Sequence, residues 1–360
     1  MKDDLIGIRS PFDAPPDEGC VTEVAEGVFW ARLPLPMALD HVNVYVLDEG
    51  DHWTVFDTGL DTRRNRGIWV KLLAGPLRGK PVERVIVSHH HPDHIGLAGW
   101  FQAGGAQLWS SRTVWLFARM LVLDVQETPL PETLAFWRRA GMDAAMLANR
   151  ATTRPFNFCD VVAPLPLGFQ RLQDGQVIHA AGRDWDVRLG QGHAPDQVTL
   201  WSRDCPLVLG ADQLLPGISP NLGVYATEPD ADPVAEWLIS CARFQDIARP
   251  DHLVLPGHKL PFTGLPLRLR QKIDNHRGAL RRLHDHLAVP RRASECFAPL
   301  FKREVSDDTY GLALVEAVAH LNHLVAQGQA LRSTGDDGTW VWQACKASQA
   351  GVTGRETSDI

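Results

Sequence analysis

Four side chains that bind metals, His89, His91, Asp93 and His94, fall inside six residues of the run Ser88-His-His-His-Pro-Asp-His-Ile-Gly96. No other feature narrows so far what the chain can fold into. The preceding Val82-Glu-Arg-Val-Ile-Val87 has the length and β-branched content of a buried strand, and Asp93-His-Ile-Gly-Leu-Ala-Gly-Trp-Phe101 can open a helix. The cluster is therefore predicted on a strand-to-helix loop, where α/β proteins bind their ligands. Three consecutive histidines also suit a solvated loop. H-x-H-x-D-H, however, combines imidazole nitrogens with a carboxylate, donors that zinc, iron and manganese accept. His90, between two candidate ligands, is expected to face solvent.

A metal held here needs further ligands, and three later segments offer them in the same way. Asp184-Trp-Asp-Val-Arg-Leu189 runs into Gly190-Gln-Gly-His193, Cys205-Pro-Leu-Val-Leu-Gly210 into Ala211-Asp212, and His252-Leu-Val-Leu-Pro256 into Gly257-His258. Upstream, Trp53-Thr-Val-Phe56 ends in Asp57-Thr-Gly59. Each is a short apolar strand followed by a small residue and a candidate ligand, and small residues allow tight turns and close backbone approach. Singly these are ordinary turn sequences. As an ordered set they are hard to ascribe to chance.

The order D-T-G, H-x-H-x-D-H, G-H-x-P, G-x-D, P-G-H resembles the metallo-β-lactamase superfamily over about residues 25 to 265. The resemblance implies an α/β fold, an αββα sandwich with a dinuclear metal site at one sheet edge. Carried over residue by residue, it makes His89, His91 and His193 ligands of one ion and Asp93, His94 and His258 ligands of the other. Asp212 matches the bridging carboxylate, and Asp57 the acidic residue that orients the loop from behind. The intact set is similar to glyoxalase II, the lactonases and the small endoribonuclease group.

Two divalent ions about 3.5 to 4 Å apart share a water, present it as a bridging hydroxide and polarise a scissile oxygen, so hydrolysis is the expected reaction. By the same analogy Asp93 or Asp57 carries the proton to the leaving group. Zinc is the ion expected from the donors; iron or manganese would fit them too. Ser88 and Ser219 have no histidine left to serve as a base.

With 360 residues, 44% of them hydrophobic, there is material for one large domain and a small one, expected at 20–265 and 266–346. A formal charge of -7 does not favour broad binding to nucleic acid or acidic membranes. Met1 to Ser10 lacks the pattern of a secretory signal, and no apolar run is long enough to span a bilayer. The six cysteines are scattered without a C-x-x-C pair, as expected of thiols in a reducing cytoplasm, although their even number leaves disulfides open.

Residues 105–175 are an insertion that the hydrolytic core does not need. Thr113–Leu123 and Pro131–Ala140 read as helices able to roof the site, with Trp115, Phe117, Met120, Phe136 and Trp137 either lining an apolar pocket or packing on the sandwich. Asp40-His-Val-Asn43 and the loop Gln213 to Tyr225 are candidate walls, Tyr225 a candidate oxyanion donor. Leu267–Leu287 reads as one amphipathic helix within a basic stretch, eight Lys or Arg against two Asp from Arg268 to Arg292. A short helix around Phe297 and Leu300, a longer one over Tyr310–Gln327 and a hairpin over Leu331–Trp342 resemble a winged-helix appendage. A polar tail after Lys346 is expected to fray.

The appendage leaves three readings open. A small-molecule ester, thioester or lactone hydrolase would use it as a cap or homodimer element. An endoribonuclease would feed single-stranded RNA along the basic helix. A non-enzymatic ligand sensor would bind DNA through it. The acidic overall balance weighs against both nucleic-acid readings and the complete ligand set against the sensor.

Overall fold

The computed structural model describes residues 7–37 and 39–345; the tail after Lys346 lies outside them. Seven strands form one sheet in sequence order: β1 (Thr22–Ala25), β2 (Val28–Pro34), β3 (His41–Asp48), β4 (Trp53–Phe56), β5 (Val82–Ile86), β6 (Gln107–Ser110) and β7 (Gln170–Arg171). A second sheet, in the order β12-β11-β10-β9-β8, is built from β8 (Val177–Ala180), β9 (Arg183–Gly190), β10 (Gln197–Ser202), β11 (Leu207–Ala211) and β12 (Leu253–Pro256).

Side chains alternate across these strands, and both faces are covered. In β3, Tyr45 and Leu47 join Phe56 and Ile86 in the core between the sheets, opposite Trp185, Val187, Leu209 and Leu255. Val44 and Val46 point the other way, to helices α1 (Arg63–Ala74), α3 (Ala98–Ala103) and α4 (Arg112–Leu123). On the outer face of the second sheet, Val208 and Val254 meet α7 (Pro233–Gln245) and α8 (Leu265–His286). The layers therefore run helix, sheet, sheet, helix, an αββα sandwich, and double burial explains why its strands read as apolar runs.

The helix expected over Asp93–Phe101 is broken into α2 (Pro92–Ile95) and α3. A Cβ on Gly96 at the break would lie 2.4 Å from the Gly59 carbonyl oxygen, so the loops after β4 and β5 touch there. In the insertion, α4 and α5 (Pro131–Arg139) form as expected; α6 (Ala144–Thr152), capped by Asp143, was not anticipated, nor was α7. Phe136 and Met142 are buried in the same core as Leu283, Leu314 and Trp342. The insertion thus packs on the C-terminal region at this end, and Phe136 lines no pocket at the site. Trp137 is partly buried against that core, while Trp115 stacks on Phe169 at 4.9 Å.

Beyond α8 come α9 (Phe297–Phe301), α10 (Asp307–Ala326) and a hairpin of β13 (Ala330–Thr334) and β14 (Trp340–Ala344). Arg291 pairs with Trp342 as an added antiparallel bridge. All six cysteines are free. No helix among the described residues is long and apolar enough to cross a membrane.

Candidate metal centre

Strand direction brings the predicted residues together. β4, β5 and β6 are parallel, so their C-terminal ends share one edge, where Asp57 and the histidine cluster emerge. In the second sheet β11 and β12 are parallel and β9 runs the same way, being antiparallel to β10 as β11 is. His193, Asp212 and His258 therefore leave from the matching edge. Asp57 and Ala211 adopt left-handed backbone (φ 61° and 42°), strain of a kind that non-glycine residues carry at sites held by their surroundings.

The potential donor atoms fall into three groups, each with its atoms within 4.8 Å of one another: His89, His91 and His193; His89, His94 and Asp212; Asp93, His94 and His258. His89 Nε2 and His91 Nδ1 lie 3.0 Å apart. Asp212 stands between the outer groups, Oδ2 being 3.5 Å from His193 Nε2 and 3.4 Å from His258 Nε2, and Oδ1 3.5 Å from His94 Nε2. Asp93 Oδ2 is 3.3 Å from His258 Nε2 and 3.5 Å from His94 Nε2. His94 Nε2, His193 Nε2 and Asp212 Oδ1 are buried without a hydrogen-bond partner. Buried polar atoms normally have one, and a cation bound among these atoms would instead take their lone pairs by coordination. The imidazole and carboxylate donors fit a divalent transition metal.

The opposite ring nitrogens are held from behind. His94 Nδ1 donates to Asp57 Oδ2 (2.8 Å), His258 Nδ1 to the His41 carbonyl (2.9 Å) and His193 Nδ1 to the Asn221 carbonyl (2.8 Å). Each bond selects the tautomer whose Nε2 lone pair faces the centre. Asp57 also accepts from the Ser88 backbone N–H (2.8 Å) and hydroxyl (2.7 Å). Both its oxygens are thereby committed behind His94, which suits the orienting role and leaves no free oxygen for the proton-carrying role predicted beside it. Ser88 and Asn221 were not anticipated as supports. Nor was Gln197, whose side-chain oxygen, in the orientation its neighbours require, accepts from the backbone N–H groups of Asp212 (3.0 Å) and Gln213 (2.8 Å).

Burial and then the neighbouring imidazoles hold His89 and His91 well below the usual histidine range. Burial also opposes charge on His94 and His258, but the carboxylates around them win. His94 is raised well above its ordinary value and His258 to about 10. Burial would raise Asp212, yet His258, His94 and His193 hold it well below the usual carboxylate range. In the metal-free protein the carboxylates thus favour the charged forms of His94 and His258, and these imidazoles favour the charged form of Asp212.

His90 is buried, contrary to expectation, with its ring 5.4 Å from Phe117 and stacked 6.3 Å from Phe158. Tyr225 is 52% exposed, its hydroxyl over the Gly223 backbone. Asp40-His-Val-Asn43 does reach the centre, through the backbone of His41 rather than a side chain.

Residues 37–258, which span this centre, match the metallo-beta-lactamase superfamily. The chain belongs to that superfamily. Residues 280–345 match the metallo-beta-lactamase-like C-terminal domain. A crystallised beta-lactamase domain protein from Burkholderia ambifaria is 34% identical, with a TM-score of 0.86 over 94% of this chain and 98% of that one. A metallo-beta-lactamase family protein from Thermus thermophilus is 26% identical, with a TM-score of 0.74 over 89% and 100%. The probable metallo-hydrolase YqjP of Bacillus subtilis is 24% identical over 316 residues, 84% of this chain and 93% of that protein. This metallo-beta-lactamase superfamily member is a hydrolase.

Proposed function

We propose that the protein is a dinuclear, metal-dependent hydrolase of a carbonyl substrate, a small thioester, ester or lactone. The observation that carries this reading is Asp212, placed between two donor groups and within 3.5 Å of a nitrogen from each. His89, His91 and His193 would hold one ion, Asp93, His94 and His258 the other, with zinc favoured by the donors. Two such ions would acidify a water held between them and polarise the substrate oxygen. The protein's own part is to fix the ring tautomers through Asp57, His41 and Asn221. Asp93, with 18% of its side chain exposed, is the carboxylate open to pass a proton to the leaving group.

Endoribonuclease activity along the basic helix is the weaker reading. Arg268 and Lys272 are buried and bonded to backbone carbonyls, and Arg282 donates to the Pro299 carbonyl, so three of the helix's six Lys and Arg side chains serve the fold. The helices and hairpin after α8, with the Arg291 bridge, support a winged-helix-like cap, and the six free cysteines suit a cytoplasmic setting.

The test pairs the zinc-loaded protein and its Asp212→Ala variant with a thioester, an aryl ester, a lactone, a β-lactam and a single-stranded RNA. Cleavage of a carbonyl substrate by the wild type alone is expected, with two ions per wild-type chain. Wild-type turnover with one ion per chain would sink the dinuclear reading, and cleavage of RNA alone would replace the substrate class.

A further inference from the structure

The loop that leaves Asp212 has no regular structure of its own: residues 212–232 form neither helix nor strand. It nevertheless carries the Asn221 carbonyl that receives His193 Nδ1. Gln197 of β10 holds the start of the loop, and the C-terminal helices hold the stretch around Asn221. Arg268 donates to the carbonyls of Leu215 and Ile218 (both 2.8 Å), and Lys272 donates to Ile218 (3.2 Å). The Val224 backbone N–H donates to the Val315 carbonyl (3.2 Å). Most directly, Asn221 Nδ2 donates to Glu316 Oε2 (2.8 Å) and the Leu312 carbonyl (3.2 Å), both on α10.

Arg268 and Lys272 are 5% and 0% exposed, and neither forms an ion pair among the described residues. Burying unpaired cations is costly. Here they are spent on loop carbonyls, so this interface is built to fix the loop as well as to fill space.

We infer that the Asn221–Glu316 link positions His193, making α10 of the C-terminal region a structural part of the metal centre. The inference rests on the proposed role of His193 as a ligand. A carbonyl acceptor sets the ring tautomer and aims Nε2 at the centre, but a peptide carbonyl is only as fixed as its loop, and Asn221 is anchored through its own side chain. Glu316 touches no donor atom of the centre; it acts through Asn221 and the His193 ring.

The test is zinc affinity, measured on the full chain by competition with a chromophoric chelator. Glu316→Ala is expected to weaken the site holding His193 about 10-fold or more, the range for loss of an outer support. Glu316→Gln keeps an oxygen for the Asn221 amide and is expected to stay near the wild type, which a merely structural loss of charge would not explain. With a substrate, Glu316→Ala should lower kcat with little change in KM. Arg292→Ala, which breaks the exposed pair with Asp337, serves as a distant control and should bind zinc like the wild type.

If Glu316→Ala does not fold, Asn221→Ala cuts the same link while leaving the carbonyl and α10 intact. Wild-type zinc affinity in whichever of these variants folds would overturn the inference. His193→Ala separates the two claims: if it binds two zinc ions as tightly as the wild type, the ligand role itself fails.

Discussion

Asp57 Oδ2 accepts a hydrogen bond from His94 Nδ1 at 2.8 Å, with both side chains almost wholly removed from solvent. The contact joins the end of β4 to α2, which follows the parallel strand β5, and turns His94 Nε2 toward Asp93 and Asp212.

Asp57→Asn should lower metal affinity roughly 10- to 100-fold with the fold intact. The amide retains one acceptor oxygen, and asparagine tolerates the left-handed backbone of this position. Asp57→Ala adds strain at that φ and orphans His94 Nδ1 and the Ser88 N–H, so it should also lower the melting temperature. Chelator competition beside thermal denaturation checks both; full metal affinity in Asp57→Ala would remove the orienting role.

A Cβ on Gly257 would lie 2.2 Å from Asp212 Oδ1 and 2.7 Å from His94 Cε1. Gly257→Ala should therefore displace the centre and lose metal. Gly67, exposed in α1 with nothing near a Cβ, provides the contrast. Gly67→Ala should stabilise the protein by roughly 0.5–1 kcal/mol through helix propensity and leave metal content unchanged. Elemental analysis of both purified variants decides the matter, and a fully loaded Gly257→Ala would show that the loop relaxes.

Much of this was open to reading from the sequence, for a physical reason. Strands buried on both faces appear as apolar runs, and an aspartate or histidine just after each run marks one sheet edge. Asp57, His193, Asp212 and His258 were found by that rule. The supports at His41 and Asn221 escaped it because they act through backbone carbonyls, which any residue type supplies. Gln197 and Ser88 escaped because only the folded chain brings them to Asp212 and Asp57. His90 was misplaced because the packing that buries it, Phe117 and Phe158, comes from the insertion.

Burial lowers Lys272 to about 7 from an ordinary lysine value of 10.5. Between those limits the unfolded chain binds a proton that the folded chain does not, so this residue makes stability rise with pH. The slope is at most about 1.4 kcal/mol per pH unit. His258, raised to about 10, works in the opposite direction in the metal-free protein, its stabilisation being lost as pH rises through that value. Comparing Lys272→Met with the wild type isolates the lysine. The variant's relative stability should fall steadily from pH 7 to pH 10 in denaturant titrations; a pH-independent difference would mean that Lys272 stays charged when folded.

The matches at 37–258 and 280–345 describe two domains, but one hydrophobic core crosses between them. Val208 and Val254 of the second sheet and Trp237 of α7 share it with Leu283, Leu314, Val318 and Trp342, and Phe136 and Met142 of the insertion enter it too. Cutting the chain before residue 280 would end α8 part-way and uncover the apolar side of α7 and α8 that Leu314, Val318 and Trp342 cover, so neither part should fold alone. Calorimetry of the full chain is expected to give a single transition whose van't Hoff and calorimetric enthalpies agree. Phe136→Ala, a large-to-small change deep in this core, should cost about 3–5 kcal/mol and shift that whole transition downward. Two separate transitions, with Phe136→Ala moving only one of them, would mean that the C-terminal region can leave the sheet while the metal centre stays folded.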